Sequence, residues 1–126
     1  MKHILIGGEG FVGKQLQLDL AAMDEEVIVA DIALSGPAPD PRITKIAMDV
    51  TDRASFARIP LSAEDVVYNL SAKMLSPIMP RAKRHDFFWP VNYHGVENLL
   101  DWMGKAGANR LVHFTTDMVY GHTHEV

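Results

Sequence analysis

The sequence predicts a doubly wound α/β domain: a parallel sheet in the order 3-2-1-4-5, ending after its fifth strand, with helices on both faces. Two observations set the class. Short, nearly continuous apolar runs recur along the chain, as strands covered on both faces require. Segments of helical periodicity alternate with them, so each strand reaches its parallel neighbour through a crossover, and right-handed crossovers give that order. A third observation places the ligand edge: "LIGGEGFVGKQL" (5–16) sets four glycines within residues 7–13, at the entrance to the first helix. Glycine at that density implies close backbone approach.

Taken in order, "HILIG" (3–7) reads as the central first strand. A helix follows over 11–23, with Val12, Leu16 and Leu20 as its apolar stripe and Lys14, Gln15, Gln17 and Asp19 on its wet face. "EVIVAD" (26–31) is a second buried strand ending on a carboxylate, and "ALSGPAPDPR" (33–42), with three prolines, is a surface loop. "ITKIAMDV" (43–50) alternates as a third strand, and "TDRASFARI" (51–59) opens with a capping Thr or Asp and makes a short helix. "EDVVYNLSA" (64–72) is the fourth strand, and "KMLSPIMPRAK" (73–83) is loop. The spacing predicts a long helix over 86–105, with Pro90 near its start and Val91, Val96, Leu99, Leu100 and Met103 on one broad face. "GKAGAN" (104–109) closes it with glycine, and "RLVHFTT" (110–116) is the fifth strand.

Composition narrows the classes of function. A chain of 126 residues is one domain. A net charge of −4 argues against nucleic acid or an anionic membrane surface as partner. Without cysteine there is no disulfide or thiolate chemistry, and a cytoplasmic location is the expectation. The N-terminal apolar stretch is too short for a signal peptide or a membrane span. His122 and His124 are too few for a metal site, and none is expected.

Gly7, Gly10 and Gly13 follow a G-x-x-G-x-x-G pattern between strand and helix. Such a helix start presents unpaired N–H groups and a partial positive charge, which suit phosphate. Gly7 permits the tight turn, Gly10 lets a pyrophosphate touch the backbone, and Gly13 lets the helix pack on the sheet. Asp31 ends the second strand 18 residues past Gly13, where a carboxylate can hold a ribose 2′-hydroxyl. Loop and acid together predict dinucleotide binding, and Asp31 favours NAD over a 2′-phosphorylated cofactor. A Walker loop is excluded because Lys14 is followed by glutamine.

These and four further segments resemble the extended short-chain dehydrogenases, the NAD-dependent epimerase/dehydratase family, along essentially the whole chain. "GGEGFVG" (7–13) is similar to the family's TGxxGFxG turn, with Ile6 where threonine is usual. The resemblance implies a Rossmann-like NAD(P)-binding domain over 1–126, with Phe11, Val12 and Ile32 also on the cofactor. "MDVTD" (48–52) resembles D-[IV]-x-D, which would set Asp49 on the adenine amino group and Val50 beside the ring. "YNLSA" (68–72) resembles H-L-A-A, so that Leu70, Ser71 and Ala72 would run along the cofactor. "VNYHGVENLL" (91–100) resembles N-V-x-G-T-x-N-L-L, with Asn92 at the family's asparagine and Val96 in place of threonine. "TTDMVYG" (115–121) resembles S-[ST]-x-x-V-Y-G, which implies Thr116 as the catalytic hydroxyl. Read without the resemblance, Asn92 is equally a polar residue at a helix start, and Thr116 a β-branched strand residue. Asp117 is similar to the acid of the sugar 4,6-dehydratases, but Met118 replaces their glutamate. Dehydration therefore lacks its relay pair, and epimerisation or carbonyl reduction stays open.

The family's Tyr-x-x-x-Lys does not occur in these 126 residues. The expectation is therefore an N-terminal, cofactor-binding portion without the substrate-binding part, inactive alone. The parent enzyme would act on a small molecule, a nucleotide sugar or a similar carbinol or ketone. The apolar fifth strand, left as an edge, leads us to expect a homo-oligomer. A non-catalytic dinucleotide sensor of the same fold is the alternative. The hydroxyl at Thr116 favours the enzyme.

Overall fold

The computed structural model describes residues 1–73 and 80–115, and in them the apolar runs form one parallel sheet. Its strands are β1 (Lys2–Ile6), β2 (Glu26–Asp31), β3 (Ile43–Ala47), β4 (Val66–Asn69) and β5 (Arg110–His113). The order is β3-β2-β1-β4-β5, as the crossover rule requires. Ile4 sits opposite Ile28 on one side and Val67 on the other, while Ile28 faces Thr44 and Val67 faces Leu111.

Alternation along each strand feeds two cores. Leu5, Val27, Val29 and Ile43 pack under α1 (Phe11–Ala22) with Leu20 and Ala21. Ile4, Ile6, Ile28, Ala30 and Val67 meet Phe56, Leu99 and Met103 on the other face. Burial on both sides is why the strands read as continuous apolar runs. Phe56 belongs to a 3-10 helix over Arg53–Arg58, whose cap is Asp52 accepting from the Ala54 N–H.

The long helix is present but not uniform. A 3-10 turn (Arg81–Lys83) leads into α2 (Arg84–Trp89), and a π turn over Pro90–His94 joins it to α3 (Gly95–Ala106). Pro90 has no N–H for the preceding turn, and the ladder resumes with the Gly95 N–H on the Pro90 carbonyl, five residues back. Gly107, at φ +70°, ends α3.

Three sequence expectations need correction. The strands are shorter than the apolar runs, β3 stopping at Ala47 and β4 at Asn69, because the chain beyond each leaves the sheet at its carboxyl edge. On α1 the buried residues are Gly13, Gln17, Leu20 and Ala21, so Gln17 is inside at 3% exposure and Val12 is outside. Gly13 sets that rotation by lying against Gly8 of the loop, and the Gln17 side-chain amide donates to the Gly8 carbonyl at 3.1 Å. Leu100, expected on the buried face of α3, is exposed. Residues 74–79 of the second loop and the end of the fifth strand expected at Thr116 lie outside the described residues.

At the amino edge of the sheet Asp65 is wholly buried. Its carboxylate accepts from the Lys2 and Ser62 N–H groups, both at 2.8 Å, and pairs with Lys2 Nζ at 2.9 Å. Burial raises its pKa, but these donors outweigh that and hold it below the ordinary 3.8. Its stabilisation is therefore complete above that value and is lost as pH falls through the lower folded value. We expect Asp65→Ala to cost about 3–5 kcal/mol in urea unfolding at pH 7. Below pH 4 the gap between the two proteins should narrow, and a constant gap would contradict the assignment.

Candidate functional site

The carboxyl ends of β1, β2 and β4 splay around the glycine loop. The Gly7 N–H donates to the Ala30 carbonyl at 2.7 Å, so the chain leaving β1 is still held to the end of β2. Gly7 has φ +78°, and a Cβ there would come within 2.7 Å of the Ser71 backbone N. A Cβ on Gly13 would lie 2.6 Å from the Gly8 Cα, so helix α1 rests directly on the loop. Gly10 differs: a Cβ there would meet only the Gly7 carbonyl, at 3.6 Å. The protein's own packing does not require glycine at that position. Gly10 is also the N-cap of α1, with no side-chain cap and no acid in the first turn. The first N–H groups of the helix therefore lack a carboxylate competitor.

Gly10 opens onto a cleft of about 250 Å³ at the carboxyl edge. Of the residues singled out from sequence, Gly7, Gly10, Asp31, Ile32, Asp49, Val50, Leu70, Ser71 and Ala72 line it. Met48, Lys73 and Val91 line it as well and were not foreseen. Asp31 stands at one end, its Oδ2 accepting from the Glu9 N–H at 3.0 Å and its Oδ1 from the Ala33 N–H at 3.3 Å. Each oxygen retains a further lone pair. Asp49 bonds Thr51 through Oδ1, at 2.9 Å to the N–H and 2.8 Å to the hydroxyl. Its Oδ2 has no partner among the described residues.

Other side chains hold the cleft without lining it. Asn92 accepts from the Lys73 N–H at 2.8 Å and donates to the Lys73 carbonyl at 3.2 Å, fixing the chain just past Ala72. Asn98 donates to the Val50 carbonyl at 2.8 Å and accepts from Arg53 Nε at 3.1 Å. Gly95 lets the helix approach Val50, whose Cγ2 would lie 2.8 Å from a Cβ at that position. Asn69 is buried, accepts from the Ser71 N–H and hydroxyl, and contacts His113 Nδ1 through its amide at 3.2 Å. Asn69 and Asn98 escaped the sequence reading, although an asparagine inside a helix, a poor helix former, is a usable sign of a polar task.

Phe11 and Val12 do not line the cleft. Phe11 is 97% exposed, and both border a broader depression on the outer face of α1, lined by residues of that helix alone and set apart from the glycine loop and the strand ends. Gly13 acts through packing alone. Thr116 and Asp117 lie outside the described residues.

The model of the NAD dependent epimerase/dehydratase family matches residues 3–126. A curated relative, the N-acetyl-alpha-D-glucosaminyl-diphospho-ditrans,octacis-undecaprenol 4-epimerase of Escherichia coli O157:H7, is 32% identical over 118 residues, covering 94% of this chain and 33% of that protein. A crystal structure of UDP-galactose 4-epimerase matches with a TM-score of 0.77 at 26% identity, over 96% of this chain and 40% of the other. A short-chain dehydrogenase/reductase superfamily protein from Agrobacterium tumefaciens with bound NAD shares the fold, with a TM-score of 0.79 at 24% identity, over 96% of this chain and 34% of that one. The chain spans about a third of the length of the curated relatives it matches.

The unequal roles of the glycines are measurable. Gly13→Ala should cost about 1–3 kcal/mol through overpacking. Gly10→Ala should cost less than about 1 kcal/mol, the loss of a modest cap. Equal losses in urea unfolding would show that Gly10 is also committed to packing.

Proposed function

Because this chain belongs to the NAD dependent epimerase/dehydratase family, we propose that its cleft holds NAD, as the cofactor-binding part of an enzyme that epimerises or oxidises a small sugar-like carbinol or reduces the matching carbonyl. The observation that carries this reading is the open space at Gly10. Gly7 and Gly13 are committed to the protein's own backbone, whereas Gly10 faces the cleft and begins a helix with no acid in its first turn. A pyrophosphate fits that position, and a side chain would exclude it.

The remaining residues divide the cofactor between them. Asp31 would receive the ribose diol of the adenosine half through its unused lone pairs. Asp49 would accept from the adenine amino group through Oδ2, with Val50 and Ile32 against the ring. Leu70, Ser71 and Ala72 would carry the chain of the dinucleotide past the end of β4, with Asn92 fixing the backbone just beyond.

What the dinucleotide supplies when bound is hydride exchange with a carbinol or carbonyl carbon. By its family resemblance, Thr116 would donate a hydrogen bond to the substrate oxygen, and Asp117 would lie beside it. Proton transfer needs an acid–base group, worth roughly a hundred- to ten-thousand-fold in rate. The family's tyrosine motif is absent from these 126 residues, so they should turn over no substrate by themselves.

Calorimetric titration with NADH tests the reading directly. Asp31→Ala should weaken binding by about ten- to a hundredfold, the loss of a charge-assisted hydrogen bond. Gly10→Val should weaken it by at least about tenfold, by filling the pyrophosphate position, while the protein stays folded. Absence of NADH binding by the wild-type protein, or unchanged affinity in both variants, would overturn the assignment. Oxidation of a nucleotide sugar or reduction of a small ketone by the 126 residues alone, followed through NADH absorbance, would refute their inactivity.

A further inference from the structure

Glu9 stands between Gly8 and Gly10, and the binding scheme above does not use its side chain. Its carboxylate is almost wholly covered, at 6% exposure, and pairs with Lys45 Nζ at 2.8 Å, itself 10% exposed. Lys45 also donates to the Ser35 carbonyl at 3.0 Å. The other carboxylate oxygen of Glu9 accepts from the Ser35 N–H at 2.9 Å and from the Ser35 hydroxyl. One carboxylate thus ties the glycine loop to β3 and to the loop after β2. Burial alone would raise the Glu9 pKa, but Lys45 and the Ser35 donors hold it below the ordinary 4.5, so it is ionised at neutral pH.

The cluster adjoins Asp31. Asp31 pairs with Ala47 across the sheet, and alternate residues of a strand share a face, so Lys45 projects from the same face as Asp31. The backbone N–H of Glu9 bonds Asp31 Oδ2 at 3.0 Å. A cation and two carboxylates are therefore linked through a single residue at the corner of the cleft that would take the adenosine ribose.

A 2′-phosphate placed there brings a charge of about −1.5 to −2 and requires a cation with donors to give. Lys45 is the cation at this corner, and its donors face Glu9 and Ser35. We propose that Glu9 is a second determinant of cofactor choice beside Asp31: by holding Lys45 in a covered ion pair it withholds the ammonium from a 2′-phosphate, so that the site takes the 2′-hydroxyl dinucleotide. This inference rests on the NAD-binding reading of the cleft.

The test is calorimetric titration with NADH and NADPH, using the wild-type protein, Glu9→Gln, Lys45→Gln and the double variant. Glu9→Gln should lower the preference for NADH by about tenfold, mainly through tighter NADPH binding, since a carboxylate is removed and the ammonium released. Lys45→Gln should move the preference the other way, by roughly threefold or more, because Glu9 loses its counter-charge. The double variant should lose the gain seen in Glu9→Gln. A purely structural cluster would weaken both cofactors alike and leave their ratio unchanged. An unchanged ratio in Glu9→Gln, or a gain that persists in the double variant, overturns the proposal while the NAD-binding reading stands. Wild-type protein that binds neither cofactor overturns both. If Glu9→Gln does not fold, Lys45→Gln decides, and an unchanged ratio there refutes the role of Lys45.

Discussion

The contact between Gly13 and Gly8 is the constraint on which the site depends. A helix can lie this close to the loop before it only if its first turn carries no side chain on the inner face, since a Cβ at Gly13 would come within 2.6 Å of the Gly8 Cα. That approach fixes the start of α1 at the carboxyl edge of the sheet. It also turns Gln17 inward, where its amide satisfies the Gly8 carbonyl that the tight packing shields from water. Placement of the helix, burial of a polar side chain and exposure of the first N–H groups toward the cleft all follow from one missing methyl group.

The opposite wall is held by polar contacts. Asn92, Asn98 and Asn69 each fasten a backbone segment that leaves the sheet: the chain after Ala72, the Val50 carbonyl and the turn at Ser71. Loops at the carboxyl edge have no ladder partner for their N–H and C=O groups, and asparagine supplies both a donor and an acceptor. The amino edge is clamped separately. Asp65 gathers three donors and joins the starts of β1 and β4 far from the cleft. Rigidity of the sheet and shape of the cleft therefore rest on different residues.

The strand order was legible because continuous apolar runs and intervening helices leave few topologies for a parallel sheet. The candidate cofactor residues were legible where spacing carries the chemistry, as in the three glycines and Asp31. What escaped was set by tertiary geometry. No pattern in residues 11–22 distinguishes Gln17 from the exposed Gln15, because the rotation of α1 depends on Gly13 meeting Gly8. Val12 and Leu100 look like core residues by periodicity, yet both lie outward. The helix expected over 86–105, with Pro90 near its start, is present, but its passage through a π turn that accommodates the lost donor was not legible. Met48, Lys73 and Val91 reach the cleft only because the chain leaving β3, the chain leaving β4 and the π turn converge there.

Charge at the carboxyl edge is balanced for a particular kind of guest. A helix start with no acid in its first turn favours phosphate oxygens, whereas two carboxylates nearby would oppose them. The structure separates these effects. Asp31 stands where the ribose is proposed to sit, with each oxygen bonded once to backbone. Glu9 adjoins Gly10 in the chain and bonds Asp31 through its N–H, but its charge is compensated by Lys45, which also bonds the Ser35 carbonyl. One uncompensated carboxylate therefore stands at the proposed ribose position, and the first turn of α1 carries none. A dinucleotide with free ribose hydroxyls would meet both conditions at once, its pyrophosphate accepting from the start of α1 and its ribose donating to Asp31. An added phosphate on that ribose would meet Asp31 while Lys45, at the same corner, is held by Glu9.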